Sequence, residues 1–367
     1  MKIYTDRVTK AQMLMSEAGA DLVALSLGSN MRYLSGFTDE PGERLLLLLI
    51  PREGNPVFIV PELYAEQVGQ ASPFEDVRIW KDADDPGELL KRTIADFGIR
   101  AGRVLVDDTM WATFLLALKE ALPRADFGLA SQVMVPLRLR KTSDEIDHMA
   151  QAGTIADEAF EKVLQLKVSG MSELELASSL EEAMREKGAE KVAFETLVAS
   201  GSNGALPHHR AGKRTIEPGD AVILDFGCRR HGYCSDMTRT ICCGEPSTEI
   251  QAVYEIVERA QEKAVQAAKP GVEAQTIDRI AREEISRAGH GDQFIHRTGH
   301  GIGLDVHEAP YIVEGNDLVL HEGMAFSVEP GVYIPGRFGI RIEDVVVVTE
   351  TGTRAMTSSI RALQVVH

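Results

Sequence analysis

Residues 217–227 and 321–331 are two copies of one short unit, and this duplication limits the possible folds of the chain more than any other feature. Glu217-Pro-Gly-Asp-Ala-Val-Ile-Leu-Asp225-Phe-Gly227 aligns with His321-Glu-Gly-Met-Ala-Phe-Ser-Val-Glu329-Pro-Gly331. In each copy a glycine turn leads an apolar run, a carboxylate follows six residues after the turn glycine, and a second glycine comes two residues later. Each copy then returns with another acid, Asp236 eleven residues after Asp225 and Glu343 fourteen residues after Glu329. Such a repeat predicts two equivalent strand pairs facing each other, each delivering two carboxylates. A lone Asp or Glu is far more often a surface residue than a ligand. Here, though, Asp225 follows Val222, Ile223 and Leu224, and Glu329 follows Phe326, Ser327 and Val328, positions where an uncompensated carboxylate would be buried at high cost.

With His300 added, these acids make a hard, mostly oxygen ligand set of the kind that suits two divalent cations with water activated between them, so hydrolysis is the first expectation. Histidine placement agrees, because residues 1–147 contain none and eight of the ten lie between His208 and His321. Two motifs do not redirect this reading. Gly299-His-Gly-Ile-Gly303 lacks the spacing of a dinucleotide fingerprint and reads as a ligand-presenting loop. His296 and His300 stand four apart like a zincin pair, but Arg297 replaces the needed glutamate and the glycines disfavour a helix.

The first part of the chain alternates helical and strand patterns. Helices are predicted over about residues 6–18, after Pro86 and over 111–121, and strands near 21–26, 44–50, 56–60, 77–80 and 103–106, which together describe a small α/β domain. Residues 132–141, with Pro136 and several arginines, show no helical period and read as the junction, giving domains at 1–135 and 136–367. Thr142 with Glu145 and Ser172 with Glu175 form capping boxes that open two helices, and two more are predicted over about 248–268 and 276–288.

The strings LDFG, SDMTRT, HRTGHGIG, SVEPGVY and RIED, in this order, resemble the methionine aminopeptidase, prolidase and creatinase superfamily, and residues 30–37 resemble the creatinase-like amino-terminal domain of its Xaa-Pro peptidases. The resemblance implies an α/β (α+β) chain: a creatinase-like domain, then a pita-bread catalytic domain with internal pseudo-twofold symmetry. It further implies that Asp225 holds one metal, His300 and Glu329 the other, and that Asp236 and Glu343 bridge the pair. Glu329 becomes the proton shuttle, His208 and His307 the contacts to the scissile carbonyl, and His296 a wall of the proline pocket. Arg341, on the same strand face as Glu343, would pair with a substrate carboxylate or fix Asp236. His209 is expected on the surface, and His231, His290 and His321 receive no role. The expected activity is Xaa-Pro dipeptide hydrolysis with two divalent ions, manganese first and cobalt, zinc or iron as alternatives. The alternatives are aminopeptidase P action on longer peptides, a metal-dependent lyase, or a binding module. The resemblance also implies a homodimer.

A net charge of −17 argues against nucleic-acid or anionic-membrane partners, and the resemblance implies a small peptide as the ligand. The first twenty residues lack the apolar core of a signal peptide, and no apolar run approaches membrane-spanning length. Cys228, Cys234, Cys242 and Cys243 read as reduced thiols, which together with the missing leader fits a cytoplasmic protein.

Overall fold

The computed structural model describes residues 2–367, which fall into two compact units divided between Arg138 and Leu139. The first unit contains helices α1 (Lys2–Glu17), α2 (Ser29–Ser35), α3 (Ala65–Ala71), α4 (Pro86–Asp96), α5 (Ala112–Ala121) and α6 (Ser131–Arg138). Its strands are β1 (Leu22–Leu25), β2 (Leu47–Pro51), β3 (Val57–Pro61), β4 (Val77–Trp80), β5 (Gly102–Val106) and β6 (Ala125–Leu129). They form one mixed sheet in the order β4-β3-β2-β1-β5-β6. Strands β1 to β3 are wholly buried, as their unbroken apolar runs require in a sheet covered on both faces.

Helix α6 corrects the sequence reading of residues 132–141 as aperiodic. With only Val133 and Met134 buried, its apolar face is too short to register as a period. Pro136 falls in its second half, so the missing N–H removes a single helical bond from a short element.

The second unit opens with α7 (Ser143–Val163) and α8 (Glu173–Glu186), each closed at its start by the expected capping box. Then come β7 (Lys191–Val192), β8 (Leu197–Ser200), β9 (Ala221–Phe226), the hairpin β10 (Cys228–Arg230) and β11 (Tyr233–Cys234), and β12 (Met237–Cys243). A second helix pair, α9 (Thr248–Ala267) and α10 (Ala274–Arg287), leads into β13 (Gly299–Gly301), β14 (Glu308–Ile312), β15 (Ala325–Val328), the hairpin β16 (Gly331–Ile334) and β17 (Phe338–Arg341), and β18 (Glu343–Val348). The duplication therefore extends beyond the repeated segment: each half is a helix pair followed by strand, hairpin and returning strand. The large sheet runs β14-β13-β15-β18-β12-β9-β8, so the two returning strands, β18 and β12, meet at its centre. The short strands β19 (Thr353–Ala355) and β20 (Gln364–Val366) add to β18 and β12.

Two apolar clusters pack against this sheet, one built with α9 and α10 and one with α7 and α8. At the central seam Arg239 and Asp344, both buried, pair at 2.7 Å, and Gln261, Thr357 and Arg361 supply further donors to the same carboxylate. Among the described residues no helix is long and apolar enough to cross a membrane.

Candidate metal centre

Register brings the acids together. Thr238 on β12 lies opposite both Asp225 on β9 and Glu343 on β18, and directly opposed residues share a sheet face. One step beyond the last β15–β18 pair, Val328 with Asp344, Glu329 comes level with Glu343. Asp236 precedes Thr238 by two residues and therefore projects to the same side. The row Glu329, Glu343, Thr238, Asp225 thus crosses four neighbouring strands.

His300 enters from β13, which the sequence reading made a loop. Gly299 and Gly301 make this strand possible: a Cβ would lie 1.8 Å from the Ser327 carbonyl at the first and 2.1 Å from the Ala309 carbonyl at the second, so only glycines let the backbones close around His300. Its backbone N–H donates to Ser327 Oγ at 3.0 Å, and the same hydroxyl donates to Glu329 Oε1 at 3.1 Å.

Ligand atoms of Asp236, His300 and Glu343 all lie within 4.8 Å of one another, with the three residues buried. His300 Nδ1 faces the Gly301 carbonyl at 3.1 Å. A carbonyl can only accept, so in the neutral ring the proton sits on Nδ1 and the Nε2 lone pair faces inward. Nε2 stands 3.7 Å from Asp236 Oδ2 and 3.3 Å from Glu329 Oε1. Asp236 Oδ1 and Glu343 Oε1 are buried with no hydrogen-bond partner. Acceptors facing acceptors in a dry site are costly unless a cation lies among them, and this chemistry fits divalent metal.

Electrostatics report the same crowding. Burial first, then repulsion from neighbouring carboxylates, pushes Asp236 and Glu343 well above the usual carboxylate range. Burial raises Asp225 as well, against the opposing charge of Arg341. Burial also pushes the Glu329 carboxyl up, but with no cation between them a protonated His300 outweighs it through a hydrogen bond and its charge and holds Glu329 at about 2.

Arg341 departs from expectation. Its guanidinium donates to Asp225 Oδ2 at 2.5 Å, not to Asp236, as well as to the Tyr333 hydroxyl at 2.9 Å and Thr238 Oγ1 at 3.2 Å. With a side chain 3% exposed and each nitrogen engaged inside the protein, it is built to hold Asp225. Tyr333 continues the chain by donating to His296 Nε2 at 2.8 Å, since His296 Nδ1 is committed to the Arg297 carbonyl at 2.7 Å. Burial lowers the His296 pKa, keeping the ring neutral.

The remaining histidines divide unexpectedly. His307 stacks edge-on against His300 at 4.2 Å between ring centres, and desolvation, with the charges of His300 and Arg297, lowers its pKa to about 4. His208 is exposed, yet it lies near enough to act electrostatically on His296 and His307. His209, expected on the surface, is instead tucked against the buried Glu173 at 2.8 Å. Sequence reasoning missed Tyr333, Thr238 and Ser327, although SVEPGVY and SDMTRT contain all three.

Comparison with known proteins identifies the family of the chain. Residues 147–350 match Metallopeptidase family M24, and residues 7–140 match the Creatinase/Prolidase N-terminal domain. The chain is 38% identical to the Xaa-Pro dipeptidase of Lactobacillus helveticus, over 97% of this chain and 98% of that one. It superposes on a prolidase from Thermococcus sibiricus with a TM-score of 0.95 at 41% identity, covering 99% of each chain. An X-Pro aminopeptidase from Thermotoga maritima gives a TM-score of 0.86 at 38% identity, covering 96% of this chain and 98% of that one. The chain belongs to metallopeptidase family M24 and carries that family's pita-bread domain behind a creatinase-type amino-terminal domain. It is a peptidase of a family that works with divalent metal ions.

Proposed function

We propose that this chain is an Xaa-Pro dipeptidase using two divalent ions, manganese foremost, held by Asp225, Asp236, His300, Glu329 and Glu343. The observation carrying the metal site is that Asp236 Oδ1 and Glu343 Oε1 are buried with no donor in a cluster whose third member is His300. Asp225 would serve one ion, His300 and Glu329 the other, with Asp236 and Glu343 between them. Bound there, such ions polarise a carbonyl oxygen and bring the pKa of water near neutrality. An oxygen-rich set favours manganese over softer choices, with cobalt, zinc or iron as alternatives.

The protein's own groups handle the proton and the substrate. The prolyl nitrogen leaves as a secondary amine, poorly expelled unless protonated, so a proton must move from water to that nitrogen. Glu329, ionised and held at Oε1 by Ser327, accepts it and passes it on. His307, neutral above about pH 4, and His208 donate to the scissile carbonyl as it gains charge. His296, its Nε2 occupied by Tyr333, offers ring surface to the proline.

The four buried free thiols suit the reducing cytoplasm, and a homodimer completes the reading, to be checked by sedimentation. Similarity to an X-Pro aminopeptidase favours one second reading, action on longer peptides. Hydrolysis rates for Xaa-Pro and Xaa-Pro-Yaa with manganese decide between them. Preference for the tripeptide would replace the dipeptidase reading, and loss of both activities in a metal-loaded protein would point to a lyase or binding module.

A further inference from the structure

We propose that Glu173, outside the metal centre, is the positioning residue for His208, through a carboxylate that ties together both ends of the loop carrying that histidine. The inference rests on the reading of His208 as a contact to the scissile carbonyl.

Glu173 is the first residue of α8 and is completely buried. Its carboxylate receives five donors, all from residues 200–212. Oε1 accepts from Ser200 N at 2.8 Å, Ser200 Oγ at 2.8 Å and Asn203 Nδ2 at 2.9 Å. Oε2 accepts from His209 Nε2 at 2.8 Å and Gly212 N at 3.2 Å. One oxygen therefore holds the start of the loop and the other its end. A buried carboxylate is tolerable only with such saturation, so the loop and the acid stabilise each other.

His208 has no such support. Among the described residues its ring makes no hydrogen bond or ion pair of its own, and its place depends on the backbone around it. That backbone is fixed on one side by His209 against Glu173. On the other it is fixed by the Pro207 carbonyl, which accepts from Arg341 Nη1 at 3.4 Å. Gly204 packs so tightly on Gly339 of β17 that a Cβ on Gly339 would lie 1.9 Å from the Gly204 carbonyl oxygen. The loop is thus clamped between Glu173 and the Arg341 strand, and His208 projects from the clamped segment.

Glutamine at position 173 keeps size and neutralises the charge, but it offers one acceptor where two are needed. Its amide would turn N–H groups toward one end of the loop. An error of about 1 Å in a group that must meet the reacting carbonyl lowers turnover by about a hundredfold. The test is a double-mutant cycle on full-length, manganese-loaded protein with an Xaa-Pro dipeptide, combined with hydrogen exchange at residues 200–212. Glu173→Gln is expected to lower kcat about tenfold to a hundredfold, with KM within about twofold and metal content unchanged. In a His208→Ala background it should cost no more than about twofold, because the residue it acts through is gone. Exchange of the Ser200 and Gly212 amides should speed up about tenfold or more.

Equal losses in both backgrounds, or unchanged exchange, overturn the proposal. A wild-type protein inactive on Xaa-Pro substrates overturns the dipeptidase reading instead, and exchange then still decides whether Glu173 holds the loop. If Glu173→Gln does not fold, Asn203→Ala, which removes one of the five donors, goes through the same cycle with an expected loss of about threefold, confined to the background that retains His208.

Discussion

Thr238 donates its hydroxyl proton to Glu343 Oε2 over 2.6 Å, while Thr238 Oγ1 itself accepts from Arg341 Nε at 3.2 Å. A small neutral side chain at the centre of the acidic row thus satisfies one oxygen of Glu343 and leaves the other directed at the metal site. Outer contacts of this kind orient a ligand and tune its basicity. Thr238→Val keeps the shape and removes the hydroxyl. Manganese affinity, measured by competition with a fluorescent chelator, should fall about tenfold to a hundredfold. The chelator-treated variant should also lose about 1–2 kcal/mol of stability. Unchanged affinity would show that Glu343 is oriented by something else.

Much of this site was legible in the sequence because the repeat is local. A glycine turn, an apolar run and an acid at fixed spacing predict a strand ending in a carboxylate wherever they occur, and Asp225 and Glu329 obey. What eluded the sequence depends on distant pairing. Thr238 matters because β12 lies between β9 and β18, and nothing near residue 238 announces that neighbourhood. The hairpins inside each copy differ in length, which hid the full extent of the duplication. His208 and His209 are adjacent and chemically identical, so only the loop conformation, set by Glu173 more than thirty residues earlier, tells them apart. Helix α6 escaped because Pro136 is a strong local signal against a helix, while the burial of Val133 and Met134 that favours it is tertiary.

Asp236→Asn should act with opposite sign on the metal-free and metal-loaded protein. A buried acid with its folded pKa raised above its unfolded value favours folding below the unfolded value, and that advantage disappears as pH rises through the folded one. At neutral pH with chelator, wild type therefore bears the cost of crowded acids, and the neutral amide relieves part of it. With manganese at about a thousand times Kd, wild type gains about 4 kcal/mol that a variant lacking a ligand cannot match. Thermal melts should rank the variant above wild type in chelator and below it in manganese. The same order in both conditions would count against a metal role for Asp236.

Arg341→Lys separates holding Asp225 from reading a substrate carboxylate. Lysine keeps the charge but cannot serve Thr238, Tyr333 and Asp225 together. Turnover should fall about tenfold to a hundredfold, together with weaker manganese binding. The preference for a dipeptide over its amide should stay within about twofold of wild type. Collapse of that preference, with metal binding intact, would assign Arg341 to the substrate.

A separate pH dependence belongs to the amino-terminal unit. Asp107 is 6% exposed and accepts from Ser26 N at 3.1 Å and Asn30 Nδ2 at 2.6 Å, while Arg138 Nη1 reaches Asn30 Oδ1 at 2.6 Å. Burial pushes its pKa to about 6, against the lowering effect of those hydrogen bonds. The neutral acid is thus favoured in the folded state, and its stabilising contribution, complete below about pH 4, is lost as pH rises through about 6. Two pKa units correspond to about 3 kcal/mol. Asp107→Asn cannot ionise, so the stability of wild type relative to this variant should fall by about that amount between pH 4 and pH 7. Urea unfolding of both proteins in parallel would measure it, and a difference that stays flat across this interval would show that Asp107 is ionised throughout and held by its donors.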